Sequence, residues 1–352
     1  MFRIVISVYV DDIFVIETAG TIDSAFRTIK SVCLLLGFVL EETKEQPPTK
    51  RPTLLGAEIE ISEGTIIARL PDRKKSEILN ELRQILAKGT LTPAQAAKIR
   101  GRLGHSQSLM FGRYGRALLT EFTTRQYSKN PTKFHPLNDE LKSTISWWIG
   151  VLNTTSPRKI FLNPKKPVLA YADASGPGHI GVVIFSGGTA KSMHTHLPEW
   201  FVSKHGIYEF EISAMIYALV IASLLKPGRP LLLCGDNSGA CAALVRGNCT
   251  TAAGKTLTAI FWAIAAFYGT PVWVEEVRSK FNIADPPSRA CPCLDDPHPF
   301  KKPNFGVPES FKNLFESNEK LVESQFKFTE GKPSFVGPWP CQTNPQAESE
   351  SL

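Results

Sequence analysis

Four acidic residues in the second half of the sequence lie within or directly beside apolar segments. Asp173 follows an apolar run that is predicted to be a strand, and Asp236 follows another such run. Glu211 lies on an apolar segment predicted to be a helix, and Asp285 lies at the predicted start of a further helix, directly before Pro286. Carboxylates that come from distant parts of a chain and meet at strand ends supply the oxygen ligands that Mg²⁺ prefers. Two such ions about 4 Å apart can activate a water molecule and stabilise the leaving oxygen in phosphodiester hydrolysis.

A second acidic feature is the pair Asp11 and Asp12 in "SVYVDDIFVIE", residues 7–17. The apolar runs on both sides predict a strand, a turn that carries both aspartates, and a second strand. Two adjacent carboxylates on such a turn are suited to holding a metal ion. Taken singly, the aspartates of the second half also have ordinary structural roles: Asp173 and Asp236 as turn formers, and Asp285 as a helix cap.

The predicted elements around these acids form two blocks. The first contains the hairpin, a helix from Thr21 to Leu36, strands in "TLLGAEIEI" and "TIIARL", a helix from Arg73 to Ala87 and a further helix capped by Thr92. The second block begins at Val168 and has the predicted order β-β-β-α-β-α-α-β-α. The stretch "NTTSPRKIFLNPKKP", residues 153–167, is rich in Pro, Asn, Ser and Thr and is predicted to separate the two blocks.

The positive charge is concentrated between Arg69 and Lys133. This segment contains fourteen Lys or Arg residues and four acids, while the whole chain has a net charge of +7. A concentrated basic block is expected for a surface that binds phosphate backbones, and a solvated helical face is the structural alternative. The residues that we predict to contact nucleic acid are Lys98, Arg100, Arg102, Arg113 and Arg116.

Length and composition narrow the class of protein. The 352 residues are enough for two or three domains, and the hydrophobic fraction of 43% is enough for real cores. No uncharged apolar run of membrane-spanning length occurs, and the N-terminus lacks the pattern of a secretory signal, so we predict no membrane association. Seven cysteines without regular spacing favour reduced thiols and a cytoplasmic or nuclear location.

Four segments of the second block resemble the signature segments of ribonuclease H domains attached to retroelement reverse transcriptases. They are "YADASGPGHIGVVIF", "YEFEISAMIYAL", "LLLCGDNSGACAAL" and "FNIADPPSR". The resemblance spans residues 167–289 and implies a two-metal enzyme, with Mg²⁺ or Mn²⁺, that cuts the RNA strand of RNA–DNA hybrids. The metal ligands and catalytic residues that it implies are Asp173, Glu211, Asp236 and Asp285. Glu211 is preferred to Glu209 because "EISA" matches the family's Glu-x-x-Ala pattern.

The sequence departs from this family at two points. Many ribonucleases H have a histidine in the loop before the last aspartate, and the corresponding loop here is "RSKFN". The doubled proline in "ADPPSR" is also unusual and is expected to affect where Asp285 lies. Both departures concern the rate of the reaction more than its identity.

The first block resembles a reverse transcriptase. Its "YVDD" matches the catalytic hairpin of these enzymes, and "KIRGRLG" followed by "FGRYGRALL" looks like their basic thumb or connection, similar to that of DIRS-like retroelements. The resemblance implies that Asp11 and Asp12 hold catalytic Mg²⁺ against a primer–template. The family also needs an aspartate on an earlier strand, and Asp23 is predicted to be a helix-start residue instead. We therefore expect an incomplete polymerase site.

Together these observations predict a combined α/β and α+β chain. Its predicted parts are a partial reverse-transcriptase palm (1–70), a basic helical thumb or connection (71–155), a ribonuclease H-like mixed five-stranded sheet with flanking helices (160–292) and a mostly disordered tail (293–352). The predicted function is hydrolysis of RNA in RNA–DNA hybrids by a retroelement polyprotein. The alternatives are a non-catalytic nucleic-acid-binding remnant and a fragment of a full RNA-directed DNA polymerase.

Three smaller signals complete the sequence analysis. Trp147 and Trp148 on a predicted helix are expected to be packing residues rather than base-stacking platforms. His194 and His196 alternate on one face of a predicted strand, and the sequence assigns them no partner. Cys291, Cys293 and His298 offer three zinc ligands without a fourth nearby, so unpaired thiols are the favoured interpretation there.

Overall fold

The computed structural model describes residues 4–10, 12–154, 157–162, 165–186 and 189–289. These residues form two compact units. Residues up to 71, together with 159–162, form the first unit, and residues 72–158 with those from 165 onward form the second. The predicted tail after residue 292, with Cys291, Cys293 and His298, lies outside the described residues.

The first unit begins with the predicted hairpin. Strand β1 (Val5–Tyr9) pairs antiparallel with β2 (Asp12–Ile16), and Tyr9 lies opposite Asp12. Helix α1 (Ile22–Leu35) follows and ends before Gly37, whose φ of 82° favours glycine. The hairpin and the helix confirm the sequence prediction for this segment.

A small sheet completes the first unit. Its strands, in the order in which they pair, are β3 (Thr53–Leu54), β4 (Ala57–Ser62), β5 (Thr65–Arg69) and β8 (Arg158–Phe161). The strand predicted from "TIIARL" is β5, whereas the one predicted from "TLLGAEIEI" is divided into β3 and β4, which pair antiparallel because the chain turns at Leu55 and Gly56, both with positive φ. Strand β8 lies within residues 153–167, which the sequence predicts to be a separating linker; its four residues are too short to show a strand pattern beside so many Pro, Asn, Ser and Thr residues.

The second unit begins with four helices: α2 (Asp72–Lys88), α3 (Pro93–Ser108), α4 (Leu119–Gln126) and α5 (Asp139–Thr154). Two short paired strands, β6 (Thr90–Leu91) and β7 (His135–Pro136), lie between them. Helix α3 starts with the predicted capping box, in which the Thr92 side chain accepts from the Gln95 backbone and the Gln95 side chain accepts from the Thr92 backbone. On α5, Trp148 is fully buried and packs edge-on against Trp147, which confirms their predicted packing role.

The rest of the second unit is built on a five-stranded mixed sheet. Its strands are β9 (Val168–Ala174), β10 (His179–Ser186), β11 (Thr189–His196), β12 (Leu231–Gly235) and β13 (Val272–Glu276), in the order β11-β10-β9-β12-β13. The pairs of β9, β10 and β11 are antiparallel, whereas β12 pairs parallel with both β9 and β13. The predicted mixed five-stranded sheet is therefore confirmed.

Five helices accompany this sheet: α6 (Glu199–Val202), α7 (Ile207–Leu225), α8 (Ser238–Arg246), α9 (Ala252–Phe267) and α10 (Asp285–Ser288). The element order matches the predicted β-β-β-α-β-α-α-β-α, with the four-residue α6 as an addition. Helix α7 is long and apolar enough to cross a membrane by length and composition, but 83% of its 18-residue apolar window is buried. It packs against β9, β10, β12 and α9 as the central helix of the core.

Candidate metal centre

Three of the four predicted carboxylates meet at one edge of the five-stranded sheet. Asp173 is near the end of β9, Asp236 directly follows β12, and Glu211 extends from the first half of α7. Because β9 and β12 are parallel neighbours, their carboxyl ends lie at the same edge. One oxygen from each side chain lies within 4.8 Å of the other two. Asp173 and Glu211 are buried, and Asp236 is half-buried.

The backbone around Asp236 is fixed by the cap of the following helix. Asn237 is the N-cap of α8, and its side-chain oxygen accepts a hydrogen bond from the Ala240 backbone N–H at 3.0 Å. This bond satisfies one of the otherwise unpaired donors of the first helical turn. The Asp236 carboxylate is thereby presented at the point where the strand ends and the helix begins.

Asp173 is held by two side chains from the last part of the chain. The Asn282 amide donates to Asp173 Oδ1 at 3.2 Å and to the Ala172 carbonyl oxygen at 3.1 Å. The Ser288 hydroxyl donates to Asp173 Oδ2. Both residues lie in "FNIADPPSR", but the sequence predicted this role for neither, since no local pattern distinguishes a polar turn residue from a partner of a distant strand.

Burial raises the pKa of two carboxyl groups in the cluster. Burial, followed by the charges of Asp173 and Asp236, raises the pKa of Glu211 to about 9. Burial also raises the pKa of Asp173 to about 6, with further increases from Asp236 and Asp285, although the Ser288 hydrogen bond opposes this. Neighbouring carboxylates cannot all ionise cheaply in a buried site. A set of oxygen ligands whose ionisation is unfavourable fits a hard divalent cation, because the positive charge of the cation favours the ionised form of each ligand.

Asp285, the fourth predicted ligand, lies in the same cleft but outside the close group. The cleft has a volume of about 590 Å³. Asp285 Oδ1 accepts from Arg289 Nη2 at 2.6 Å and from Arg289 Nε at 2.9 Å. This ion pair engages the carboxylate, so the structure brings together Asp173, Glu211 and Asp236 and leaves Asp285 beside them.

Helix α10, which carries Asp285, lies directly on β10 at a glycine. A Cβ added to Gly181 would overlap the backbone nitrogen of Ser288 and the carbonyl oxygen of Ala284. Gly181 also pairs with Asp173 in the sheet register. The absence of a side chain at Gly181 therefore lets the backbone of α10 approach the sheet closely enough for Ser288 to reach Asp173.

The two glutamates of α7 have different surroundings. Glu209 accepts a hydrogen bond from the Gly206 backbone at 3.3 Å and another from the Thr251 hydroxyl at 3.0 Å. Thr251 is the N-cap of α9, so Glu209 joins the starts of two helices. Glu211, two residues later on the helix, faces Asp173 instead. This arrangement gives a physical reason for the preference for Glu211 that the sequence pattern indicated.

The acidic pair of the first unit is only partly described. Asp12 is exposed at the start of β2, and Asp11 lies outside the described residues. Asp23 lies in the first turn of α1, where the sequence placed it. A polymerase role for Asp11 and Asp12, and the assignment of this unit to a palm, stay predictions.

Two of the predicted nucleic-acid contacts are engaged in ion pairs. Lys98 lies 3.4 Å from Glu81, and Arg102 pairs with Glu77 at 3.1 Å and with Glu81. The acids belong to α2 and the bases to α3, so these ion pairs join the two helices. Arg100 is half-buried on the same helix. The basic character of α3 is therefore partly compensated within the protein.

The other two predicted contacts, Arg113 and Arg116, are exposed. Both lie in the turns between α3 and α4, and Arg113 Nε donates to the Val245 carbonyl oxygen of α8 at 3.1 Å. This bond fixes the arginine stem against the helix that follows Asp236. Of the predicted residues, Arg113 and Arg116 are the better placed to meet a nucleic acid from solvent.

No protein-family model and no curated protein sequence matches the chain. Among solved structures, it is similar to a foamy viral protease-reverse transcriptase in complex with double-stranded DNA, at 17% identity and a TM-score of 0.38, over 77% of this chain and 46% of that chain. A foamy viral protease-reverse transcriptase in complex with an RNA/DNA hybrid is similar at 16% identity and a TM-score of 0.37, over 77% of this chain and 36% of that chain. Ribonuclease H1 from Halobacterium salinarum NRC-1 is similar at 18% identity and a TM-score of 0.29, over 35% of this chain and 94% of that chain.

The chain thus spans less than half the length of these two viral structures. Similarities at this level of identity and TM-score assign neither a family nor an activity to it. The chemistry of the described side chains must therefore support any functional conclusion.

Proposed function

We propose that this chain hydrolyses the RNA strand of RNA–DNA hybrids, using divalent Mg²⁺ or Mn²⁺ held by Asp173, Glu211 and Asp236, with Asp285 as a fourth ligand that would exchange its ion pair with Arg289 for the metal. The observation that carries the proposal is the convergence of three acidic side chains from three separate elements within 4.8 Å. Burial makes this cluster costly for the metal-free fold, and such a cost is typical of a functional site. Retroelement ancestry and a cytoplasmic or nuclear location belong to the same proposal.

The substrate class rests on the sequence. The four segments that resemble ribonuclease H signatures contain all four carboxylates, and the exposed Arg113 and Arg116 supply positive charge in the same unit. The cleft beside the carboxylates is lined mainly by polar residues, which suits contact with a phosphodiester backbone. These features favour a nucleic-acid strand over a small apolar substrate.

Bound divalent ions would supply an activated water molecule and stabilise the charge on the leaving oxygen. The chain's own residues provide the geometry for this. Asn282 and Ser288 fix both oxygens of Asp173, so its ligand direction is set before any ion arrives. Glu211 must release its proton on ion binding because burial raises its pKa to about 9. Ion binding and proton release are therefore coupled at this residue.

Polymerase activity is not part of this proposal. The three acids whose ligand atoms lie within 4.8 Å of one another, Asp173, Glu211 and Asp236, all belong to the second unit. Asp11 and Asp12 support an origin in an RNA-directed DNA polymerase that acts on a primer–template. A longer protein that supplies a further carboxylate beside this hairpin would restore that candidate function.

The proposal is tested with the full chain and a hybrid whose RNA strand is end-labelled. We expect cleavage that requires Mg²⁺ and that falls by more than about 100-fold in Asp173→Asn, since losing even an outer-shell partner of a metal ligand costs up to that much. Glu209→Gln on the neighbouring helix face is the matched control and is expected to keep the activity. Equal cleavage by wild type and Asp173→Asn, or none by either, would remove the enzymatic proposal. Salt-dependent hybrid binding without cleavage would favour the non-catalytic alternative.

A further inference from the structure

Three histidines lie together on one face of the β10–β11 ribbon. His179 on β10 is directly opposite His196 on β11, and His194 is two residues before His196. Cross-strand partners, and residues two apart on a strand, point to the same face of a sheet. His194 and His196 are exposed, and His179 is half-buried. The sequence showed only the His194–His196 alternation, because the position of His179 depends on the register of the two strands.

Two of the rings are close enough to share a ligand. His194 Nε2 lies 3.2 Å from His179 Nδ1, a hydrogen bond in which either ring can be the donor and whose proton a bound metal ion would displace, and the centroid of the His179 ring lies 4.6 Å from that of His196. Two nitrogens that bind one tetrahedral Zn²⁺ are about 3.3 Å apart, given Zn–N bonds of about 2.0–2.1 Å. The observed separation of the first pair matches this spacing without movement of the backbone.

The protonation pattern also suits metal binding. His196 Nε2 lies 2.9 Å from the Pro177 carbonyl oxygen, so this nitrogen carries the proton and Nδ1 of the neutral ring carries a lone pair. Burial, followed by the other histidines, lowers the pKa of His194, and burial with His196 lowers that of His179. Imidazoles bind metals in the neutral form. Histidine ligands held by a second hydrogen bond to a carbonyl are common in zinc sites.

We propose that His179 and His194 form a second metal site that takes a borderline transition-metal ion such as Zn²⁺, and that His196 joins it as a further ligand when its side chain turns. Imidazole nitrogens select Zn²⁺, Ni²⁺ or Cu²⁺ over Mg²⁺, whereas the carboxylates of the first centre prefer Mg²⁺ or Mn²⁺. The two sites therefore discriminate between classes of metal. None of the three histidines belongs to the proposed hydrolytic centre, so this inference stands independently of the proposed activity. His179 nevertheless lines the same cleft, so an ion here would add positive charge at its edge.

The experiment is a Zn²⁺ titration of the full, metal-stripped chain by calorimetry, with millimolar Mg²⁺ present to occupy the carboxylates. We expect the Zn²⁺ affinity to fall by more than about tenfold in His194→Gln and in His179→Gln. Loss of an outer-shell partner alone lowers metal affinity by at least about tenfold, and loss of a direct ligand should lower it more. His135→Gln on β7, in a different sheet, is the matched histidine control and is expected to bind like wild type. Unchanged affinity in both His194→Gln and His179→Gln would overturn the proposal.

Two further variants separate this site from other Zn²⁺ ligands. Cys291→Ser combined with Cys293→Ser removes the thiols near His298, and the proposal expects full Zn²⁺ binding without them. Loss of the binding in this double variant would assign the ion to the thiols and contradict the histidine site. Cu²⁺ in place of Zn²⁺ gives an independent readout, since nitrogen hyperfine splitting in its electron paramagnetic resonance spectrum is expected in wild type and reduced in His194→Gln. Identical splitting in both would count against the assignment.

Discussion

Replacing Glu211 with glutamine is expected to stabilise the metal-free protein while removing its hydrolytic activity. Burial next to Asp173 and Asp236 raises the pKa of Glu211 from 4.5 to about 9. Between these pH values the unfolded chain releases the proton and the folded chain retains it, so the free energy of unfolding falls as pH rises. Below pH 4.5 both states are protonated and the penalty disappears. Above pH 9 both states are ionised and the penalty is constant.

The size of this penalty follows from the same pKa values. Each pH unit above 4.5 lowers the free energy of unfolding by about 1.4 kcal/mol, so the buried Glu211 carboxyl costs about 3 kcal/mol at pH 7. Glutamine has nearly the same shape and no charge to lose. Glu211→Gln should therefore raise the free energy of unfolding by up to about 3 kcal/mol at pH 7, with the gain shrinking towards zero near pH 4.5.

The assay is urea unfolding in a chelating buffer at a series of pH values between 4.5 and 8. Glu209→Gln is the matched control, because Glu209 caps α7 and binds Thr251 and is therefore expected to gain no stability from the same substitution. Added Mg²⁺ should stabilise wild type and have a smaller effect on Glu211→Gln. A Glu211→Gln protein that is no more stable than wild type at pH 7, or whose gain does not change with pH, would refute the reasoning.

Three further predictions follow from the contacts around the centre and on the basic face. Gly181→Ala should destabilise the fold by about 1–3 kcal/mol in urea unfolding and reduce cleavage, because its methyl group pushes α10 away from β10. Ser288→Ala should weaken Mn²⁺ binding by about 10–100-fold in calorimetry by releasing Asp173, and unchanged affinity would contradict this. Arg116→Gln should weaken hybrid binding and reduce the slope of log binding constant against log salt concentration by about 1. Arg102→Gln loses ion pairs within the protein and should mainly lower the free energy of unfolding, by about 1 kcal/mol.

Much of the second unit could be predicted from the sequence because its local signals agree with one another. Apolar runs of strand length alternate with long apolar helices, and the acids lie where those elements begin or end. Asp173 and Asp236 end neighbouring parallel strands, so their proximity follows from the sheet order alone. The capping box of α3 was equally clear, since Thr92 and Gln95 act within a single turn of the chain.

The features of the site that the sequence does not predict depend mostly on contacts between distant segments. Asn282 touches Asp173 across more than a hundred residues, and no local pattern marks an asparagine as such a partner. The ion pair of Asp285 with Arg289 is an exception, since the two residues are only four apart; it depends on which way their side chains turn at a four-residue helix and its C-cap. The ion pairs of Arg102 depend on how α2 packs beside α3, which charge counting along the chain does not reveal.

The most direct test of the proposed activity compares four substrates of one sequence with the full chain and Mg²⁺: the RNA–DNA hybrid, single-stranded RNA, duplex RNA and duplex DNA. With each strand labelled in turn, we predict cleavage of the RNA strand of the hybrid, with its DNA strand and the other three substrates left intact. Removing Mg²⁺ with a chelator should abolish the cleavage, because the proposal has Asp173, Glu211 and Asp236 act through bound ions. Cleavage of the DNA strand, equal cleavage of all substrates, or an intact RNA strand in the hybrid would contradict the account.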